Sequence, residues 1–151
     1  MIVAKVESRA YSRVTEVIER VRAAVLNIFP ENVRDAVKLK TKQTESHHKQ
    51  PIIVISSTLS HKQSCEATLD YILARLTKPE KKQIAGSLDL RVDEQGTLYL
   101  RFDKQDAFLE KISLYDGSDP ISMNIHFREY PRCEQEEVIN YILGRLEKSG
   151  M

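Results

Sequence analysis

The chain has 151 residues, 41% hydrophobic and 30% charged, which fits one globular domain spanning 1–151. Its 23 Lys and Arg against 22 Asp and Glu leave a net charge of +1, so no global basic excess marks a polyanion binder. Any such role must rest on where the charges sit. The longest apolar runs, IIVI and AAVL, fall far short of the roughly 20 residues of a membrane helix. MIVAKVESR meets charge too early for a secretory signal. Cys65 and Cys133 are distant and unpatterned, which suits a reducing, cytoplasmic setting and leaves their pairing open.

In chain order, residues 2–10 alternate, with Ile2, Ala4 and Val6 opposite Lys5, Glu7 and Arg9, which predicts a half-buried strand. Val14, Val17, Ile18, Val21, Ala24, Val25 and Ile28 then fall at helical spacing, with Ser12 as the expected N-cap and Pro30 and Asn32 as the stop. Val37, Leu39 and Thr41 alternate with Lys38, Lys40 and Lys42 in a second strand. ESHHKQP is a polar connection to a third strand, IIVISSTL. Ser60 opens a helix with the stripe Cys65, Leu69, Ile72, Leu73 and Leu76. Thr77 and Glu80 stand at capping-box spacing with Pro79 in the first turn, which predicts a short helix to about Ala85.

LDLRVDEQGTLYLRF reads as a hairpin turning at 93–96, and KISLYDGSDPISMNIHF as another turning at 116–120. A last helix runs from about Glu134, with its stripe through Val138, Ile139, Ile142, Leu143 and Leu146. DYILARLTK and NYILGRLEK agree at six of nine positions. Two amphipathic helices built from the same good helix formers account for this better than a duplicated unit, because the flanking segments do not align.

Hairpin strands and one-striped helices predict an α+β fold: a two-layer sandwich, mostly antiparallel sheet with helices packed on one face. The other face is then open, and strand parity gives its side chains. It would carry Lys5, Glu7, Arg9, Lys38, Lys40, Lys42, Asp89, Arg91, Asp93, Tyr99, Arg101, Asp103, Lys111, Ser113, Tyr115, Ser122, Asn124, His126 and Arg128. Nine of these are Lys or Arg and four are acids, so a near-neutral chain hides a basic face. The lysines of KLKTK stand about 7 Å apart, close to the phosphate repeat of a nucleic acid strand. Their mutual repulsion is relieved by a polyanion, and Tyr99 and Tyr115 offer rings to an unpaired base. Lysines on an exposed strand also block edge-to-edge aggregation, which is the plainer explanation of KLKTK alone.

Little points to catalysis. No glycine-rich phosphate loop exists, and adjacent His47 and His48 lack metal-ligand partners at zinc-site spacing, so neither metal nor cofactor is expected. Cys133 sits at a helix start, where a thiol pKa can fall, without a histidine base close in sequence. Asp103 and Asp106 bound a turn and read as caps. Asp103 is then expected to start the turn, Ala107 and Phe108 to return to the core, and Lys104 and Gln105 to project at a loop tip. The expectation is a non-enzyme.

LYLRFDKQDAF, followed by a strand and DPISMNIHF, resembles an archaeal family described as RNA-binding, predicted exosome-associated proteins. TESHHKQPI is similar to that family's second motif, a glycine-flanked histidine pair before Asn-Pro-Ile, and VESRAYSRVTEVIERVRAAVLNIFPE also fits. The resemblance implies a two-layer α+β fold like that of a large-subunit ribosomal protein. It also implies RNA as partner, with exosome or ribosome-assembly proteins. It places Asp103, Lys104, Gln105 and Ala107 on one motif and His47, His48, Pro51 and Ile52 on the other. Ser46, Lys49 and Glu110 stand where the family pattern has glycine, and Asp106 where it has alanine, which restricts both loop backbones. The expected RNA contacts are Lys38, Lys40, Lys42, His47, His48, Lys49, Tyr99, Arg101, Lys104 and Gln105. The alternatives are a protein scaffold or homodimer that pairs its open face with protein, and, more weakly, a metal-dependent nuclease using Asp103, Asp106 and a histidine.

Overall fold

The computed structural model describes residues 1–46 and 48–150, so His47 lies outside the described residues. Five antiparallel strands form one sheet in the order β2-β3-β1-β5-β4. They are β1 (Ile2–Ser12), β2 (Lys38–Glu45), β3 (Pro51–Leu59), β4 (Thr97–Phe102) and β5 (Ile121–Arg128). The helices are α1 (Ile18–Asn27), α2 (Lys62–Arg75), α3 (Lys78–Gly86), α4 (Leu88–Arg91), α5 (Lys104–Phe108) and α6 (Gln135–Lys148), with a 3-10 turn at Glu31–Ala36. The predicted α+β sandwich is therefore observed.

The core lies between the sheet and the helices. Period-two alternation sends Val6 and Ala10 of β1, Ile55 and Leu59 of β3, Met123 and Ile125 of β5, and Leu98 and Leu100 of β4 to the same side. They meet Val21 and Val25 of α1, Leu69, Ile72 and Leu73 of α2, and Val138, Ile142 and Leu146 of α6 in one buried cluster. Each such side chain contributes roughly 1.5–3 kcal/mol of burial, which fixes which face of each strand looks inward. Two polar groups on that side, Ser8 and Ser57, satisfy each other by a hydroxyl–hydroxyl bond.

Several expectations need correction. The first helix begins at Ile18, because β1 continues to Ser12 in its ladder with β3, and buried Ser12 pairs with Ile53 instead of capping. Val14 and Val17, expected on the helix stripe, are exposed. The first arm of the LDLRVDEQGTLYLRF hairpin is a helical turn, not a strand. The Ser87 carbonyl accepts from both Leu90 and Arg91 at 3.0 Å, and Leu90 is left 85% exposed. Only Val92 bridges β4, at Leu98. The turn itself is as expected: the Asp93 carboxylate accepts from the Gln95 and Thr97 amides at 3.0 and 2.9 Å. Gly96 takes φ +83, and a Cβ there would stand 2.6 Å from Cys133 Sγ.

KISLYDG is likewise no strand. Leu114 makes a single bridge to Phe102, and its amide donates to Glu80 Oε2 at 2.7 Å. Asp89, Arg91, Asp93, Asp103, Lys111, Ser113 and Tyr115 therefore leave the strand positions assigned to them. The Thr77–Glu80 capping box forms as predicted, with both reciprocal bonds present. Cys65 and Cys133 are both free thiols. Burial pushes Cys65 up to about 11, and Cys133 is also raised, by desolvation first and then by Glu129 and Glu137, against the expected fall.

Two of the three missing glycines of the resemblance have a backbone consequence. Lys49 and Glu110 both adopt the left-handed region, at φ 59 and φ 64. A side chain there costs roughly 1–2 kcal/mol, so the loops keep a glycine-like path under strain. Glu110→Gly is therefore expected to raise the unfolding free energy by about 0.5–1 kcal/mol, the relief less the added freedom of the unfolded chain, in chemical denaturation. A loss of stability would show that the Glu110 side chain holds the turn.

Candidate nucleic-acid interface

The side of the sheet away from the helices carries its charge at strand positions fixed by register. Lys38, Lys40 and Lys42 sit opposite Thr58, Ser56 and Val54 on β3. Thr58 and Ser56 pair with Glu7 and Arg9 of β1, which pair with Asn124 and Ser122 of β5, and these with Tyr99 and Arg101 of β4. Directly paired residues point to the same side, so the register writes rows across the sheet. One row reads Lys40–Ser56–Arg9–Ser122–Arg101 and the next Lys38–Thr58–Glu7–Asn124–Tyr99.

The first row is a line of cations separated by short hydroxyl side chains. With strands about 4.8 Å apart, Arg9 stands about 10 Å from Lys40 on one side and from Arg101 on the other at the backbone. Serines between them keep the surface low, and a hollow of about 350 Å³ opens over Glu7, Arg9, Ser56, Thr58, Ser122 and Asn124. Lys38, Lys40, Lys42, Arg9 and Arg101 are exposed, and none has an ion-pair partner among the described residues. With Arg91 and Lys111 off the strands, the basic strand positions here are Lys5, Arg9, Lys38, Lys40, Lys42, Arg101 and Arg128. Glu7 is the one acid left on them, and it is engaged by His126 at 2.7 Å and Lys5 at 3.7 Å. The face is thus more one-sidedly basic than parity alone indicated.

Register also separates what the sequence suggested were neighbours. The lysine strand and β4 occupy opposite edges, four strand spacings or about 19 Å apart. Arg9, an outward-facing position of β1 that lies outside the expected RNA contacts, bridges that gap. The signal was available in the alternation of β1, and what hid it was the unknown strand order.

At the β4 edge, Tyr99 is 44% exposed and its hydroxyl donates to Asp93 at 2.8 Å, which raises the phenol pKa. Burial alone would raise the Asp93 carboxyl. Bonds from the Thr97 amide, the Tyr99 hydroxyl and the Gln95 amide outweigh that and hold it below the usual carboxylate range. Arg101 donates to the Gly117 carbonyl at 2.6 Å, which orients it without neutralising it.

The DKQ segment is placed differently from expectation. Asp103 does start the turn: its carboxylate accepts the Asp106 amide at 2.8 Å and caps α5. Lys104 does not project. Its side chain is 12% exposed, and its ammonium reaches the Tyr11 carbonyl at 2.8 Å, Glu16 at 2.9 Å and Asp119 at 2.8 Å. An ammonium has three donors, and all three are engaged. Lys104 therefore ties the end of β1 to α5 and to the segment before β5. Asp119 Oδ1 is buried without a donor among the described residues. Gln105 is exposed, and Phe108, expected to return to the core, is 38% exposed.

His48 and Lys49 are exposed in the β2–β3 turn, where the Ser46 hydroxyl accepts from the His48 and Gln50 amides at 3.3 and 3.2 Å. Among the described residues, no group of three His, Cys, Asp or Glu is arranged to hold a metal ion. No described helix is long and apolar enough to cross a membrane.

This chain is similar to proteins from archaea along nearly its whole length. The RNA-binding protein PAB1135 of Pyrococcus abyssi is 30% identical over 140 residues, covering 92% of this chain and 90% of that one. The uncharacterized protein MJ0213 of Methanocaldococcus jannaschii is 28% identical over 133 residues, 86% of this chain and 88% of that one. Among solved structures, protein AF2318 of Archaeoglobus fulgidus matches with a TM-score of 0.80 and 26% identity, covering 95% of this chain and 99% of that one. Mth689 of Methanothermobacter thermautotrophicus shares the fold, with a TM-score of 0.73 and 23% identity over 97% of this chain and 99% of that one. A family model described as RNA binding matches residues 5–127, and the chain belongs to that family.

Proposed function

We propose that this protein binds RNA on the open sheet face, through phosphate contacts from Lys40, Arg9 and Arg101 with Lys38 and Lys42 beside them. The observation that carries the reading is the cross-sheet row itself: three exposed cations at regular spacing, none with a carboxylate at ion-pair distance among the described residues. Ser56, Ser122 and Asn124 add short donors that reach phosphate oxygens or ribose hydroxyls. Family membership supports RNA as the polyanion. A protein scaffold would need a contiguous apolar patch, and the two central rows are polar or charged throughout, which favours RNA. His48 and Lys49 extend the basic corner beyond β2, and Gln105 borders the opposite edge. The resemblance to exosome-associated proteins supports an accessory place in RNA processing.

Lys40→Ala, Arg9→Ala and Arg101→Ala are each expected to weaken binding of unrelated RNA sequences by similar amounts. Each should also lower the slope of log K against log salt by roughly 0.7–0.9, the counterion no longer released. Lys104→Met should leave that slope unchanged and instead cost about 1–3 kcal/mol of stability, because it strands the Glu16 and Asp119 carboxylates. Fluorescence anisotropy across a salt series, paired with denaturation curves, separates the two effects. Unchanged slopes in folded row variants would move the RNA contact off this face.

We read the protein as non-enzymatic, with the Asp103 carboxylate serving as a helix cap. RNA incubated with it in Mg²⁺ should remain intact on a denaturing gel. Cleavage that Asp103→Asn abolishes would establish the nuclease instead.

A further inference from the structure

A second hollow, of about 490 Å³, lies between the start of α1 and α5, and the row of cations does not account for it. Its lining is mixed, and three of its apolar side chains are open to solvent: Val17 is 55% exposed, Leu109 59% and Phe108 38%. Arg20 stands 5.6 Å from the centre of the Phe108 ring. Its floor is different, with the carboxylates of Glu16, Asp103 and Asp119 beside the saturated ammonium of Lys104. A phosphate would meet three carboxylates there and no free donor on Lys104, with Arg20 above the Phe108 ring the one cation of the lining left to it. A flat, uncharged ring with polar edges suits both surfaces: faces toward Val17 and Phe108, edge groups toward Gln105 and the floor.

The hollow joins the cationic face at two points. Tyr115 lines it, and its amide donates to the Arg101 carbonyl at 3.1 Å. The Lys104 ammonium on its floor is bound to the carbonyl of Tyr11, the face residue that follows Arg9 along β1. The Arg101 guanidinium, at the end of the row, reaches Gly117, two residues before Asp119 of the lining, so a strand following the row ends beside the hollow.

We propose that the groove between α1 and α5 receives one unpaired nucleobase of an RNA strand whose phosphates lie on the sheet face, so the preferred ligand is single-stranded RNA, a loop or an end. This rests on the RNA-face reading above and adds the substrate class. Phosphate contacts do not distinguish single strands from duplex strongly, whereas a base that must enter a groove does. A duplex presents no free base unless a pair opens.

The test measures binding of a labelled single-stranded oligoribonucleotide and of its duplex, by anisotropy, to wild type, Val17→Trp, Phe108→Ala and Arg9→Ala. Val17 is largely exposed, so a tryptophan fills the groove without entering the core, and matching thermal transitions verify folding. Val17→Trp and Phe108→Ala are expected to lose about ten- to hundredfold in single-strand affinity, the loss of one stacked base, with the salt slope and duplex affinity unchanged. Arg9→Ala should weaken both ligands and lower the slope.

Wild-type single-strand affinity in both groove variants, with Arg9→Ala still weakened, would overturn the groove and leave the face standing. No RNA binding by wild type would overturn both. Ultraviolet crosslinking of the single strand to wild type should label the peptide holding Phe108 or Tyr115. Crosslinks confined to Tyr99 or Tyr11 would contradict the inference. So would groove variants that lose an arginine-rich peptide while keeping RNA, which would give the groove to protein.

Discussion

The register of β1 against its two neighbours is the constraint on which the rest of the structure depends. β1 is the central strand, hydrogen-bonded to β3 on one side and β5 on the other. Its alternation puts Val6 and Ala10 in the core and Glu7 and Arg9 outside. A slip of one residue would bury Arg9 and expose Val6, at the cost of an unpaired charge in an apolar layer and of lost burial, so the apolar face locks the polar one. The cationic row is thus held in place by a core that never touches it. Lys40 and Arg101 reach the row only because β3 and β5 carry the register outward by one more strand each.

Two kinds of cation coexist in the molecule, and burial with pairing tells them apart. Lys104 is nearly enclosed and holds two carboxylates and a carbonyl, a geometry that fastens the end of β1 to α5. Arg145 does similar work between helices, contacting Glu66 and Asp70 on α2 and the Tyr141 hydroxyl on its own helix. Lys38, Lys40, Lys42 and Arg9 have no such commitments among the described residues and are free to meet an outside anion. Net charge hides this division, because the acids are concentrated away from the open face.

Much of the architecture was legible in the sequence, and the failures share a cause. β1, β2, β3 and β5 and the stripes of α2 and α6 follow from strict periodicity, and the Thr77–Glu80 box from local hydrogen-bond chemistry. LDLR misled because four residues of alternating character fit either a strand or one helical turn. Ser87 decided it, through carbonyl bonds to Leu90 and Arg91 that periodicity does not record. The start of α1 was misplaced because Val14 and Val17 sit at helical spacing, while the ladder of Ser12 with Ile53 is a long-range fact. For the site, parity identified the outward residues but not their neighbours. Strand order decides that Arg9 completes a row and that Lys42 and Arg101 lie at opposite edges. The burial of Lys104 is not legible locally, because its partners, Tyr11, Glu16 and Asp119, are far from it in sequence.

The central claim is that the helix-free face of the sheet meets RNA. Backbone amide shifts followed by nuclear magnetic resonance, during titration with a short single-stranded oligoribonucleotide, test it most directly. The account predicts the largest changes at Arg9, Lys40, Ser56, Arg101 and Ser122, across four strands, with α2 and α6 nearly still. Changes concentrated on α2, α3 and α6, with those five amides unmoved, would contradict it.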